Sequence, residues 1–219
     1  GLVIDEELCR ENLRTLLEKA QQTRSYIRID MEDSTLTTAT IDVYLWARNA
    51  GFENVGIVLQ SYLYRTAEDI ENLMNFDTRV RLCKGAYKEP ASVAFPEKAK
   101  VDENFDRLVD QLFDASQKWG YPPISADGRV PSIPGIATHD PARIDYAINE
   151  AEKRGFDKAC YEFQMLYGIR RDLQDKLIAE GCTVRIYVPY GTHWYPYFMR
   201  RLAERPSNLW FFVSNFFHK

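Results

Sequence analysis

Short β-rich apolar runs alternate with amphipathic helical stretches along the whole chain, and this alternation constrains the fold more than any other feature. The runs are Tyr26–Met31, Val55–Leu59, Arg79–Ala86, Ile136–Thr138, Ala159–Phe163 and Arg185–Val188. Most are apolar throughout rather than alternating, as strands buried on both faces are. Between them lie helical periodicities. Asp5–Gln22 has Asp5 as N-cap and a stripe of Leu8, Leu13, Leu16, Leu17 and Ala20. Thr37–Ala50 stops at Gly51, and Thr66 caps a short helix carrying Ile70, Leu73 and Met74. Val101–Lys118 presents Val101, Phe105, Leu108, Val109, Leu112 and Phe113. A loop over Gly120–Pro134 follows, then a helix capped by Asp140 with Pro141 in its first turn and Ile144, Ala147, Ile148 and Ala151 turned inward. A further helix ends at Gly181, and a last one runs from Thr192 to Glu204. Strand–helix alternation predicts a parallel sheet whose crossovers are helices, with roughly six of the units that build a (β/α) barrel.

In a barrel the C-terminal strand ends share one mouth, where ligand chemistry is done. Asp30, Gln60, Lys84, His139, Gln164 and Tyr187 all fall at the ends of the expected strands. Any one of them is a common strand-end hydrogen bonder, but six in register point to a site. Arg81, Lys84, Arg200 and Arg201 make the mouth cationic, and Tyr87, Tyr187, Tyr190 and Tyr197 give it aromatic walls. Such a pocket suits a small carboxylate with an apolar body, or a planar cofactor carrying phosphates. Gly85 after a strand lets the backbone approach a ligand closely, or simply turns the chain. Neither G-x-G-x-x-G nor a P-loop motif is present. The net charge of −4 offers no basic field for nucleic acid. Three scattered histidines make no metal motif, so no metal site is expected. The four cysteines, Cys9, Cys83, Cys160 and Cys182, read as reduced thiols, with Cys83 and Cys160 in buried strands. They suit a reducing, cytoplasmic compartment.

Six stretches, IRIDMED, VLQSYLYR, RLCKGAYKEP, ATHD, YEFQMLYGIRR and VRIYVPYGTHWYPYFMRRLAER, resemble in order the successive motifs of proline dehydrogenase, in its monofunctional bacterial form. The resemblance spans nearly the whole chain. It implies a (β/α)8 TIM-like barrel, FAD as cofactor, and oxidation of L-proline to Δ1-pyrroline-5-carboxylate. Electrons would then pass to a quinone, with peripheral association on the inner face of a bacterial membrane. Matched position by position, Arg200 and Arg201 would bind the proline carboxylate, while Tyr187, Tyr197, Tyr87 and Leu166 would enclose its ring. Met31, Gln60, Arg81, Lys84, Gly85, Ala86, Thr138 and His139 would contact FAD. Asp30 matches an acid beside the substrate arginines, and Arg81 would stabilise negative charge arriving with the hydride. These two are the catalytic expectations.

The first strand here corresponds to the family's third, so the resemblance implies that two strands are absent and that residues 1–219 are one catalytic domain incomplete at its N-terminus. Two other readings compete with the oxidoreductase. A Schiff-base lyase would use Lys84 at the barrel mouth. An incomplete barrel would hold no cofactor.

Overall fold

The structure is a computed structural model that describes residues 1–192. The chain divides into two compact units, residues 1–186 and 187–219. Six strands, β1 (Ile27–Ile29), β2 (Val55–Gln60), β3 (Val80–Cys83), β4 (Pro134–Ala137), β5 (Glu162–Leu166) and β6 (Val184–Tyr187), lie side by side in sequence order. The four pairings from β1 to β5 are all parallel. Each crossover contains a helix: α2 (Thr37–Asn49), α3 (Thr66–Leu73), α4 (Lys98–Lys118), α5 (Pro141–Lys153) and α6 (Arg171–Ala179), with α1 (Glu6–Gln22) ahead of β1. This is the expected run of (β/α) units.

Local chemistry sets the boundaries. Asp5 caps α1 by accepting from Leu8 N at 2.7 Å, and Asp140 caps α5 by accepting from Ala142 N at 3.1 Å. Gly51 and Gly181 follow α2 and α6 with φ of 88° and 80°, a conformation that terminates helices readily when no Cβ is present. The apolar stripe of α4 is fully buried at Phe105, Leu108, Val109, Leu112 and Phe113. Each of these side chains contributes about 1.5–3 kcal/mol through burial. Facing them are Ile57, Leu59, Val80, Leu82, Ile136 and Phe163 in the strands, all at or near zero exposure.

Two strand glycines make room for large polar side chains. A Cβ on Gly56 would sit 2.5 Å from the Arg79 carbonyl and 2.7 Å from Tyr26 Oη. One on Gly135 would meet Gln164 Nε2 at 2.6 Å. Gly56 is the register partner of Arg28, and Gly135 that of both Arg81 and Glu162. Small and large residues therefore alternate across neighbouring strands on this face, as filling a curved sheet requires.

The structure corrects several expectations. Asp157 accepts from Ala159 N at 2.8 Å and holds Lys158–Cys160 in a 3-10 turn. The fifth strand therefore begins at Glu162, not Ala159, and Cys160 is buried in a turn rather than a strand. Cys83 is in β3 but only partly buried. Leu8 and Leu16 on α1 are exposed at 42% and 56%, because only Leu13, Leu17 and Ala20 face the sheet. At about 100° per residue, Leu16 stands about 100° round from Leu17, and Leu8 about 140° from Leu13. Thr66 does not cap α3. It is the first helical residue, and its hydroxyl donates to the Gln60 carbonyl at 2.6 Å. The helix expected from Thr192 lies outside the described residues, apart from Thr192 itself.

Candidate functional site

Polar side chains from three neighbouring parts of the sheet converge on Arg81. Its Nη1 donates to Asp30 Oδ1 at 3.0 Å and its Nε to Gln164 Oε1 at 2.5 Å. Gln164 Nε2 in turn donates to Glu162 Oε1 at 2.5 Å, and Glu162 accepts a bidentate pair from Arg185 Nε and Nη2, each at 2.8 Å. The line Asp30–Arg81–Gln164–Glu162–Arg185 thus crosses the sheet from the C-terminal side of β1 to β6. Its two carboxylates differ in environment: the Asp30 side chain is 56% exposed and that of Glu162 wholly buried. A planar guanidinium held by a carboxylate on one edge and an amide on the other is fixed in orientation. Arg81 is therefore a pre-aimed cation near the mouth.

Gln164 belongs to the middle of β5, not its end, because the 3-10 turn delays the strand. Leu166 is the strand's last residue, and its N–H donates to His139 Nε2 at 2.9 Å. Neutral His139 therefore carries its proton on Nδ1. Thr138 is buried beside it, and its hydroxyl oxygen accepts from Asp140 N at 3.1 Å. Gln60, at the end of β2, donates from Nε2 to the Glu32 carbonyl at 3.2 Å, while its buried Oε1 has no hydrogen-bond partner among the described residues. The Glu32 carboxylate accepts from the Tyr87 hydroxyl. Tyr87 is 42% exposed, whereas Met31 is buried in the apolar core.

Lys84 is committed elsewhere. Its ammonium donates to Asp102 on α4 at 2.5 Å and to Asp140 at the start of α5 at 2.6 Å. Burial pushes both carboxyls up, but Lys84, joined by Lys98, more than offsets this and holds both below their usual range. A Schiff-base nucleophile must be a free amine, so this double ion pair removes the geometric support for the lyase reading. Deeper on α4, Arg143 Nε lies 2.9 Å from Asp106 Oδ1, but neither atom makes a hydrogen bond. Burial then dominates and lifts the Asp106 carboxyl to about 6, with Arg143 opposing and Asp102 and Asp110 adding to the rise. Gly85 has φ 107°, and a Cβ there would fall 2.5 Å from the Tyr62 ring. Its lack of a side chain is thus demanded by the turn and by Tyr62. Ala86 beside it is exposed.

Of the residues expected in the site, the structure joins Asp30 with Arg81 and Leu166 with His139, and links Gln60 and Tyr87 through Glu32. Tyr187 ends β6 and opens the second unit. Tyr197, Arg200 and Arg201 lie outside the described residues. Glu32, Glu162, Asp102 and Asp140 were not expected there. A signal for Glu162 was present in the sequence: an acid and an amide two residues apart, Glu162 and Gln164, interrupt an otherwise apolar strand.

Parallel strands in sequence order with helical crossovers define an α/β sheet of the (β/α)-barrel class, six strands of it. A family model described as proline dehydrogenase matches residues 3–213, and the chain belongs to that family. It is 43% identical over 212 residues to proline dehydrogenase 2 of Bacillus subtilis (strain 168), covering 96% of this chain and 64% of the relative. Against proline dehydrogenase of Deinococcus radiodurans it is 44% identical over 210 residues, covering 95% of this chain and 63% of that one. The bifunctional protein PutA of Escherichia coli (strain K12) is 29% identical over 219 residues, with 90% of this chain and 16% of that protein covered. The resemblance to the shorter bacterial form is therefore the stronger. Among solved structures, proline utilization A from Bdellovibrio bacteriovorus superposes with a TM-score of 0.78 at 24% identity, over 92% of this chain and 22% of that one. The chain thus spans a little under two thirds of the length of the first two relatives.

Proposed function

We propose that these residues belong to the active domain of an FAD-dependent oxidoreductase that converts L-proline to Δ1-pyrroline-5-carboxylate. The observation that carries this reading is Arg81, held between Asp30 and Gln164 at the mouth of a sheet that matches the family from residue 3 to residue 213. Bound FAD would supply the two-electron acceptor that no protein side chain provides. The residues present fit such a group: Gln60 Oε1 is a buried acceptor without a partner among the described residues, suited to a ring N–H, and Arg81 is a fixed cation for charge gained on reduction. Thr138 and His139 stand on the adjacent strand end, while Lys84 supports the site by tying β3 to α4 and α5.

The substrate's carboxylate would be taken by Arg200 and Arg201, and its ring enclosed by Tyr187, Tyr197, Tyr87 and Leu166. Asp30 would orient Arg81 and balance its charge. Tyr87, anchored through Glu32, would form one wall and limit entry of water. Reducing equivalents would leave to a quinone, which places the protein at the cytoplasmic face of a membrane by peripheral contact. Among the described residues no helix is long and apolar enough to cross a membrane. Incubation with FAD, L-proline and a quinone analogue tests the reading, with the cyclic imine product detected by o-aminobenzaldehyde. Product dependent on both FAD and proline is expected. Its absence, with flavin bound and the protein folded, would overturn the proposal.

A further inference from the structure

Beneath the candidate mouth, and sharing Arg81 with it, lies a small open cleft lined by Tyr26, Arg28, Arg81, Arg129, Pro131 and Arg185. Four of the six are arginines and none is acidic. The arginine positions follow from the strands: Arg28, Arg81 and Arg185 are each the second residue of β1, β3 and β6. Their charges are unevenly answered. Arg185 is fully engaged by Glu162, and Arg81 pairs with Asp30. Arg129 donates to the Thr23 carbonyl at 2.5 Å and has Asp127 at 3.7 Å. Among the described residues Arg28 donates to neutral acceptors alone, the carbonyls of Arg79 at 2.7 Å and Ile57 at 3.4 Å, with its guanidinium 5.8 Å from the Tyr26 ring centroid. The Tyr26 hydroxyl is buried and has no hydrogen-bond partner among them.

We infer that this cleft is a binding site for a small oxyanion of the phosphate or carboxylate class, held by Arg28, Arg129 and the Tyr26 hydroxyl. A buried guanidinium without a carboxylate and a buried hydroxyl without a partner are each costly, and one anion with two or more oxygens answers both. Burial pushes the Arg28 guanidinium down to about 10; Tyr26 and Glu162 oppose the fall, and Arg81 and Arg185 add to it. The site rests beside the flavin site proposed above and shares Arg81 with it, but it holds its ligand through other residues, and its occupancy would stabilise the sheet rather than react.

Thermal unfolding of the protein in sodium phosphate, sodium acetate or sodium chloride at matched ionic strength tests the inference, alongside 31P line broadening of inorganic phosphate. A saturable rise in Tm with phosphate or acetate and none with chloride is expected; the larger response tells which oxyanion the site prefers. Arg28→Met should abolish the saturable part, while Arg10→Met on α1 should leave it intact. Tyr26→Phe preserves the ring and should weaken the apparent affinity at least threefold, a readout that survives if Arg28→Met fails to fold. Equal responses to all three salts, or a phosphate response unchanged in both Arg28→Met and Tyr26→Phe, would overturn it.

Discussion

Glu162 shows how a single residue organises the sheet interior. Its carboxylate is wholly buried yet accepts three hydrogen bonds, two from Arg185 and one from Gln164. Such a group is stable only because every acceptor site has a donor. Glu162→Ala would strand Arg185 and release Gln164, which steers Arg81. A loss of about 3 kcal/mol is expected by urea unfolding, since Arg185 retains some solvent contact. Glu162→Gln keeps the shape and should cost about 1 kcal/mol. Equal losses for the two would place the whole effect in the lost charge rather than in the side chain's packing. On the proposed function, Arg201→Lys is expected to weaken proline binding by about 1.5–3 kcal/mol, because a lysine cannot reproduce the bidentate pairing of a guanidinium with a carboxylate. A Michaelis constant for proline within twofold of the original would remove Arg201 from the site.

At the scale of elements, β2 illustrates why some positions admit no change. Gly56→Ala places a methyl against the Arg79 carbonyl, which is backbone and cannot step aside cheaply. A destabilisation of about 1–3 kcal/mol is expected in denaturant melts. The packing of α5 on α4 carries a pH signature. Asp106 has its folded value raised to about 6 from 3.8, so below about 4 it is protonated in both states and costs nothing. As pH rises from about 4 to about 6 the unfolded chain ionises first, and stability falls. Asp106→Asn should therefore stabilise by about 1–2 kcal/mol at pH 7.5 and by much less at pH 4. A gain that does not change with pH would contradict this. Elements were legible in the sequence wherever a cap or glycine marked the end, as with Asp5, Asp140, Gly51 and Gly181. The start of β5 was not, because the side chain of Asp157 captures the preceding three residues in a turn that apolar content alone reads as strand. Leu8 and Leu16 misled for the opposite reason: they share a period with the buried face without lying on it.

At the scale of the molecule, the fold was readable from alternation because parallel order follows from helical crossovers almost without choice. The site was readable only in part. Strand-end positions gave Asp30, Gln60 and His139, but spacing says nothing of pairing, so the capture of Lys84 by Asp102 and Asp140 emerged only in three dimensions. The central claim is that the mouth of this sheet binds a flavin that proline reduces. Its most direct measurement is the visible absorbance spectrum of the purified protein reconstituted with FAD, followed anaerobically through a titration with L-proline. The account predicts the visible absorbance of a protein-bound oxidised flavin, and a saturable bleaching of its long-wavelength band as proline is added. Flavin that binds but keeps its full absorbance at saturating proline, or folded protein that retains no flavin, would contradict it.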